Sequence, residues 1–269
     1  MLSILISVGV GVAVGLGLWL TGAMGYGWSS FLGVLSFGGA QLAMGRIFQR
    51  RLKGAMEAVQ AVLADGQKKL QAKMARWQMR PPGSIQAMQA EIARDQRVFV
   101  TEALARTEAL RQFTPWVPMM ARQIATAQLQ LFWMIREFKK VDELMPKALF
   151  MDPTMKAMRM ARMYMLGKPT EEISKVYAKA VRGLRYNQNA LLAATYSWIL
   201  VQRKDIDGAF KALNRAMERS DNETLRSNRE HLANNRVAHF SNSGLGEQWY
   251  ALMLEEPKVR QQRQRMQWR

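Results

Sequence analysis

Side chains able to do chemistry are few in this chain, and their spacing argues against catalysis. The two histidines, His231 and His239, stand eight residues apart with no carboxylate constellation around them, so neither a metal site nor an acid–base pair is indicated. Cysteine is absent, which removes disulfides, zinc ribbons and thiol nucleophiles and fits a reducing compartment. Gly244-Leu245-Gly246 and the glycines near the start lack the strand–turn–helix context of a phosphate loop. No seryl nucleophile signature occurs. The expectation is a protein that is not an enzyme and needs no cofactor and no metal. Binding chemistry remains. Met155, Met158, Met160, Met163 and Met165 crowd one short segment, and flexible thioethers suit a surface that must adapt to several peptides. Met160 is the one best read as core.

The formal net charge is +18, and between Arg46 and Arg80 nine basic residues face two acidic ones, Glu57 and Asp65. Arg46, Arg50, Arg51 and Lys53 come with no acidic residue among them. Beside an anionic leaflet each such cation gains about 1 kcal/mol from lipid headgroups. Nucleic acid is the other polyanion that could meet this charge. Lipid is favoured, because the charge is densest beside the apolar stretches and no nucleic-acid motif is present.

Those stretches set the frame. Leu2–Leu20 carries no charge and is about the length one helix needs to cross a ~30 Å hydrocarbon core. Thr21–Gly27 holds three glycines and reads as a turn. Trp28–Phe48 stays uncharged until Arg46. The pattern predicts a transmembrane hairpin with spans at about 2–20 and 28–48, since a helix satisfies its own backbone within lipid. A cleaved signal peptide fits less well: the positive n-region is lacking and the apolar run is too long. The basic cluster places the rest of the chain on the cytoplasmic side of an inner membrane. Small residues recur along the first span at Ser3, Ser7, Gly11 and Gly15, and on an adjacent face at Gly9, Ala13 and Gly17. The second span offers Ser29 and Gly33. Stripes of this kind let helices approach closely in lipid, so Ser7, Gly11, Gly15 and Gly33 are the expected packing residues. Their partner is either the other span or a second protein, including a second copy of this chain.

From Arg51 to Arg80 the pattern is a heptad seam of Leu52, Met56, Val59, Leu63, Gly66, Leu70 and Trp77, flawed at Gly66 and at Lys73. Pro81-Pro82-Gly83 stops that helix, and Ser84 caps a second one running to Phe113. Two antiparallel helices around this turn make a stalk of roughly 40 Å. It serves as a spacer or a dimerising coiled coil, or folds back onto the next helices in the chain. Pro115 closes the segment, and Pro118 suits the first turn of the next helix.

A repeat then appears. Val141, Ile173 and Ala209 lie thirty-two and thirty-six residues apart, and Ala148, Ala180 and Ala216 keep the same offsets. Lys147–Pro153 (KALFMDP) closes the first unit, while Met160-Ala161-x-x-Tyr164 supplies a large–small–x–x–aromatic run in the second. The third departs from that signature, with Tyr196, Ser197 and Leu200 in its place. This resembles the tetratricopeptide repeat, whose unit is a ~34-residue helical hairpin. The layout of anchor, basic turn and repeats is also similar to that of HemY-type inner-membrane repeat proteins. The resemblance implies an α-solenoid whose first helices line a concave groove. By phase it assigns Gln130 and Trp133 to that groove from unit one, Met158, Arg162 and Met165 from unit two, and Ala194 and Trp198 from unit three. Trp and Arg are the usual energetic anchors of interfaces.

The expected fold is therefore all-α: a hairpin over 1–50, a basic helical stalk over 51–113, a repeat domain over 114–240, and a short helix with a basic tail over 241–269. The expected function is a membrane-anchored scaffold that recruits protein partners. The alternative is a non-catalytic structural subunit held through its glycine-striped spans.

Overall fold

The computed structural model describes residues 2–22, 24–79 and 84–257. Every regular element among them is helical. Pro81-Pro82-Gly83 and the basic residues Lys258–Arg269 lie outside the described residues. The chain divides into two units, Met1–Leu149 and Phe150–Arg269.

In the first unit α1 (Leu2–Leu20) turns at Gly22, in the left-handed conformation at φ +68°, into α2 (Tyr26–Met79). These two helices are the ones long and apolar enough to cross a membrane, with hydropathies of 2.2 and 1.3. The stretch expected to be span plus stalk is one unbroken α2 of 54 residues, about 81 Å at a rise of ~1.5 Å per residue. Gly54 does not interrupt it.

The next helix, α3 (Ile85–Glu108), starts where Ser84 Oγ accepts from Ala87 N–H at 3.1 Å. It lies along α2, and the two flaws in the seam are where it docks. A Cβ on Gly66 would sit 2.3 Å from Phe99 Cγ, so the missing side chain is the space that Phe99 fills. Lys73 reaches Glu91 and Asp95 on α3, each at 2.5 Å. The hydrogen bond it donates to Asp95, then that to Glu91, raises the lysine above its ordinary value of 10.5. The seam is thus filled within the chain rather than left for a second copy.

Beyond a 3-10 turn (Ala109–Phe113) come α4 (Met120–Met134) and α5 (Phe138–Leu144). Leu131 of α4 joins a core of Val59, Phe99, Val100 and Ala103. Met120 and Ile124 join Leu110 and Phe113, against which Phe48, Leu52 and Ala55 pack. These contacts make the first repeat-like pair one body with hairpin and stalk, so the division falls at Leu149 rather than at residue 114. The stalk is folded back onto α4.

The second unit consists of α6 (Pro153–Met165), α7 (Thr170–Val181), α8 (Ala190–Gln202), α9 (Ile206–Met217), α10 (Glu223–Ala233) and the single turn α11 (Glu247–Tyr250). Its helix starts are written in the sequence. Asp152 Oδ2 accepts from Thr154 N–H at 3.1 Å with Pro153 in the first turn, Asp205 Oδ1 accepts from Gly208 N–H at 2.9 Å, and Asn222 Oδ1 accepts from Leu225 N–H at 3.2 Å. Across both units the phased positions are inside: Val141, Ile173 and Ala209 are fully buried, and Ala148, Ala180 and Ala216 are at most 5% exposed. The loop after α10 is tied down by buried amides. Asn228 Nδ2 donates to Asn242 Oδ1 at 2.8 Å, and Asn242 Nδ2 donates to the Ala194 carbonyl of α8 at 3.0 Å.

Candidate binding surfaces

The glycine stripe of α1 is consumed inside the hairpin. Cβ atoms built on Gly11 and Gly33 would meet Gly33 O and Gly11 O respectively, each at 2.8 Å, and one on Gly15 would lie 3.3 Å from Ser29 O. Backbones this close leave room for glycine and little else. Ser7 lies in the same seam, its Oγ 2.9 Å from Ser3 O and 2.8 Å from Gln41 Oε1. One hydroxyl proton serves one of these acceptors, and a Gln41 amide turned over would donate to Ser7 instead. The adjacent stripe differs: nothing lies within 4 Å of a Cβ on Gly9 or Gly17, nor on Gly38, Gly39 or Gly45 of α2.

The start of α1 is pinned to the segment that closes the stalk. Leu2 N–H donates to Pro115 O at 2.9 Å, Ser3 Oγ donates to Trp116 O at 2.8 Å, and Phe48 stacks on Trp116 with centroids 4.8 Å apart. Helix starts carry unpaired N–H groups, and Pro115 supplies an acceptor here. The start of α1 therefore sits at the same end of the hairpin as the basic cluster. Arg46, Arg50, Arg51 and Lys53 are all exposed, and Lys53 pairs with Glu57 at 3.7 Å. Positions 46, 50 and 53 share a face by helical spacing, while Phe48, Leu52 and Ala55 between them face the core.

The residues assigned to a groove divide. In the first unit Gln130 is exposed, whereas Trp133 is 2% exposed and meets Phe138 edge-on at 5.5 Å, filling the space between α4 and α5. In the second, Arg162 and Met165 are half-buried and Met158 is 6% exposed. Met155 and Met160 are core, at 1% and 0%. Trp198 is 6% exposed because the chain covers it. Tyr164 lies on one side at 5.2 Å, and Trp249, itself fully buried, on the other at 5.8 Å. Glu255 closes the stack, its Oε1 accepting from Trp198 Nε1 at 2.7 Å and its Oε2 from Trp249 Nε1 at 2.8 Å. Trp133, Met158 and Trp198 are therefore packing residues of their own units, and any partner reaching Trp198 has to displace the segment around α11. Sequence spacing could not reveal this, because the covering residues lie far downstream with no periodic relation to α8.

Two arrangements went unread in the sequence. The rings of His231 and His239 come together, with centroids 5.6 Å apart and Ser227 Oγ 3.2 Å from His231 Nε2. Among the described residues no group of three metal-ligating side chains forms around them or elsewhere. The second is a cavity of about 610 Å³ between α7, α8 and α9, lined by Tyr177, Tyr196, Asn189 and several cations. Tyr177 and Tyr196 stack at 4.4 Å. Burial pushes the Tyr177 phenol up to about 12, so its hydroxyl stays a hydrogen-bond donor at neutral pH.

No family model matches the chain, and no curated protein and no solved structure matches it. Among the described residues every regular element is helical, and two helices at the start are long and apolar enough to cross a membrane.

Proposed function

We propose that this chain is a membrane-anchored helical-repeat scaffold that holds protein partners at the cytoplasmic face of an inner membrane. One observation carries the reading. The helix α2 runs without a break from an apolar segment, past four exposed cations, into the core of the first helical unit. A helix of about 81 Å leaves ~50 Å beyond a ~30 Å hydrocarbon layer. Anchor and first unit are thus joined by one continuous helix, and a partner held by the chain is concentrated at the surface. Large apolar side chains on the hairpin support the anchor: Leu20 is 74% exposed, Val34 71% and Leu42 69%, a surface that water does not tolerate and lipid does. The phased burial of the alanines supports a tetratricopeptide-like body.

A second reading, a structural subunit held through its spans, is favoured by the Gly9, Ala13 and Gly17 stripe. That stripe faces away from α2 and permits close approach of another helix. Crosslinking in native membranes followed by mass spectrometry separates the two. In Gly9→Leu/Gly17→Leu the scaffold reading expects partners crosslinked to the body at wild-type recovery. Their loss would assign binding to the spans.

A further inference from the structure

The cavity between α7, α8 and α9 has the makings of a site distinct from the groove that the repeat phase suggests. Its walls come chiefly from the second helices of two successive pairs. The α7 side is uncharged, with Ser174, Tyr177, Ala178 and Val181 at helical spacing. The α9 side is a row of cations, Lys211, Arg215 and Arg219, and Arg185 adds another from the loop before α8. Arg219 is already committed, since its guanidinium donates to the Val181 and Leu184 carbonyls at 3.4 and 2.7 Å. It fixes the wall. Arg185, Lys211 and Arg215 have no carboxylate partner among the described residues, and Glu218 is the one acidic residue in the lining. All three side chains are exposed, and together they present one positive concavity to an anion.

A separate deficiency lies in the same wall. Asn189, 5% exposed, donates its Nδ2 to Ala216 O at 3.0 Å, which fixes the orientation of the amide. Its Oδ1 is then left buried with no hydrogen-bond donor. An unmet acceptor of this kind costs about 1–3 kcal/mol. The oxygen is closed off within the wall, so this deficit belongs to the fold and not to the cavity surface.

We propose that this cavity binds an extended acidic peptide segment, its carboxylates on Lys211, Arg215 and Arg185. The spacing fits. Residues four apart on a helix are about 6 Å apart along its axis, and alternate side chains of an extended strand are about 6.6 Å apart. Acidic residues at every second position therefore meet Lys211 and Arg215 in register. Single-stranded nucleic acid offers a similar phosphate spacing, but it needs free aromatic faces for its bases. Tyr177 and Tyr196 are stacked on one another instead. The inference deepens the scaffold reading by naming the chemistry of a partner, but it does not depend on the membrane anchor.

The test uses the detergent-solubilised full chain and a fluorescently labelled peptide with glutamate at alternate positions, read by polarisation. Controls are the same peptide with lysine for glutamate, and a thymidine oligonucleotide. The acidic peptide is expected to bind, and Lys211→Glu/Arg215→Glu to weaken it at least about tenfold, as for loss of charge-assisted contacts. Lys68→Glu/Arg76→Glu, on the exposed face of α2 and outside the headgroup cluster, is expected to leave binding within about twofold. Circular dichroism checks that the α9 variant keeps its helices; should it unfold, the milder Lys211→Gln/Arg215→Gln serves, with a smaller loss in the same direction. The proposal is overturned by absence of acidic-peptide binding, by equal losses in the α2 and α9 variants, or by an oligonucleotide that binds more tightly and competes for the site. Failure here leaves the topology of the anchor untouched, and a soluble chain that still bound the peptide would sink the anchor alone.

Discussion

Gly66→Ala is expected to destabilise the first unit by about 1–3 kcal/mol, the range for forcing an extra methyl into a packed site. The added Cβ would fall 2.3, 2.6 and 2.7 Å from Cγ, Cδ1 and Cβ of Phe99. The last of these is next to the α3 backbone, so the ring cannot swing clear without the helices parting. Alanine is the better helix former by about 1 kcal/mol, and that gain partly offsets the clash. Gly54→Ala in the same helix isolates the gain, because nothing lies within 4 Å of its Cβ. It should stabilise by about 0.5–1 kcal/mol. The two substitutions thus carry opposite signs, and in a Phe99→Ala background, itself destabilised by loss of a buried ring, Gly66→Ala should cost less than it does in the wild type. Denaturant titration in detergent, followed by far-ultraviolet circular dichroism, reads all of them. Equal and positive effects at both glycines would show that Phe99 does not seat on Gly66.

Trp249→Ala is expected to cost the second unit about 3–5 kcal/mol, as for a buried aromatic replaced by a methyl. The indole is fully buried, meets Trp198 at 5.8 Å and donates to Glu255. Its removal also uncovers Trp198 and leaves Glu255 with one indole in place of two. Glu255→Gln is the graded companion: the carboxylate that accepts from both indoles is replaced by an amide with one acceptor, at a loss of about 1.5–3 kcal/mol. Tryptophan emission should shift to the red in Trp249→Ala before any unfolding. A loss under about 1 kcal/mol with unshifted emission would mean that the segment around α11 is not part of the packed unit.

Local instructions were legible in the sequence, and partners distant along the chain were not. Ser84, Asp152 with Pro153, and the uncharged run from Leu2 to Leu20 each describe their own surroundings, through capping groups, a fixed φ or plain length. The phase of Val141, Ile173 and Ala209 was readable because helical burial is periodic. Gly66 and Lys73 looked like flaws in a seam, since Phe99, Glu91 and Asp95, which give them meaning, lie on another helix. The repeat phase places Trp198 on a groove face but leaves core and groove equally open, because an apolar ring signals that it will be covered without saying by what. That the stalk folds back onto α4 was one of the alternatives the sequence left open, but which residues meet there was not legible. The cavity cations escaped notice because a basic helix face is usually solvated, and only the fold brings Asn189 and Arg185 to the same wall.

The central claim is that the α1–α2 hairpin crosses the membrane and leaves the helices that follow it on the inner side. A chain without cysteine permits a clean test. Single cysteines are placed at Met24, beside the turn between α1 and α2 and 44% exposed, and at Met151, 80% exposed in the second unit. Spheroplasts are then treated with a membrane-impermeant maleimide before and after lysis. Met24→Cys should label in intact spheroplasts, and Met151→Cys only once they are broken. Labelling of Met151→Cys before lysis, or recovery of the unmodified chain in the soluble fraction without detergent, would contradict the account.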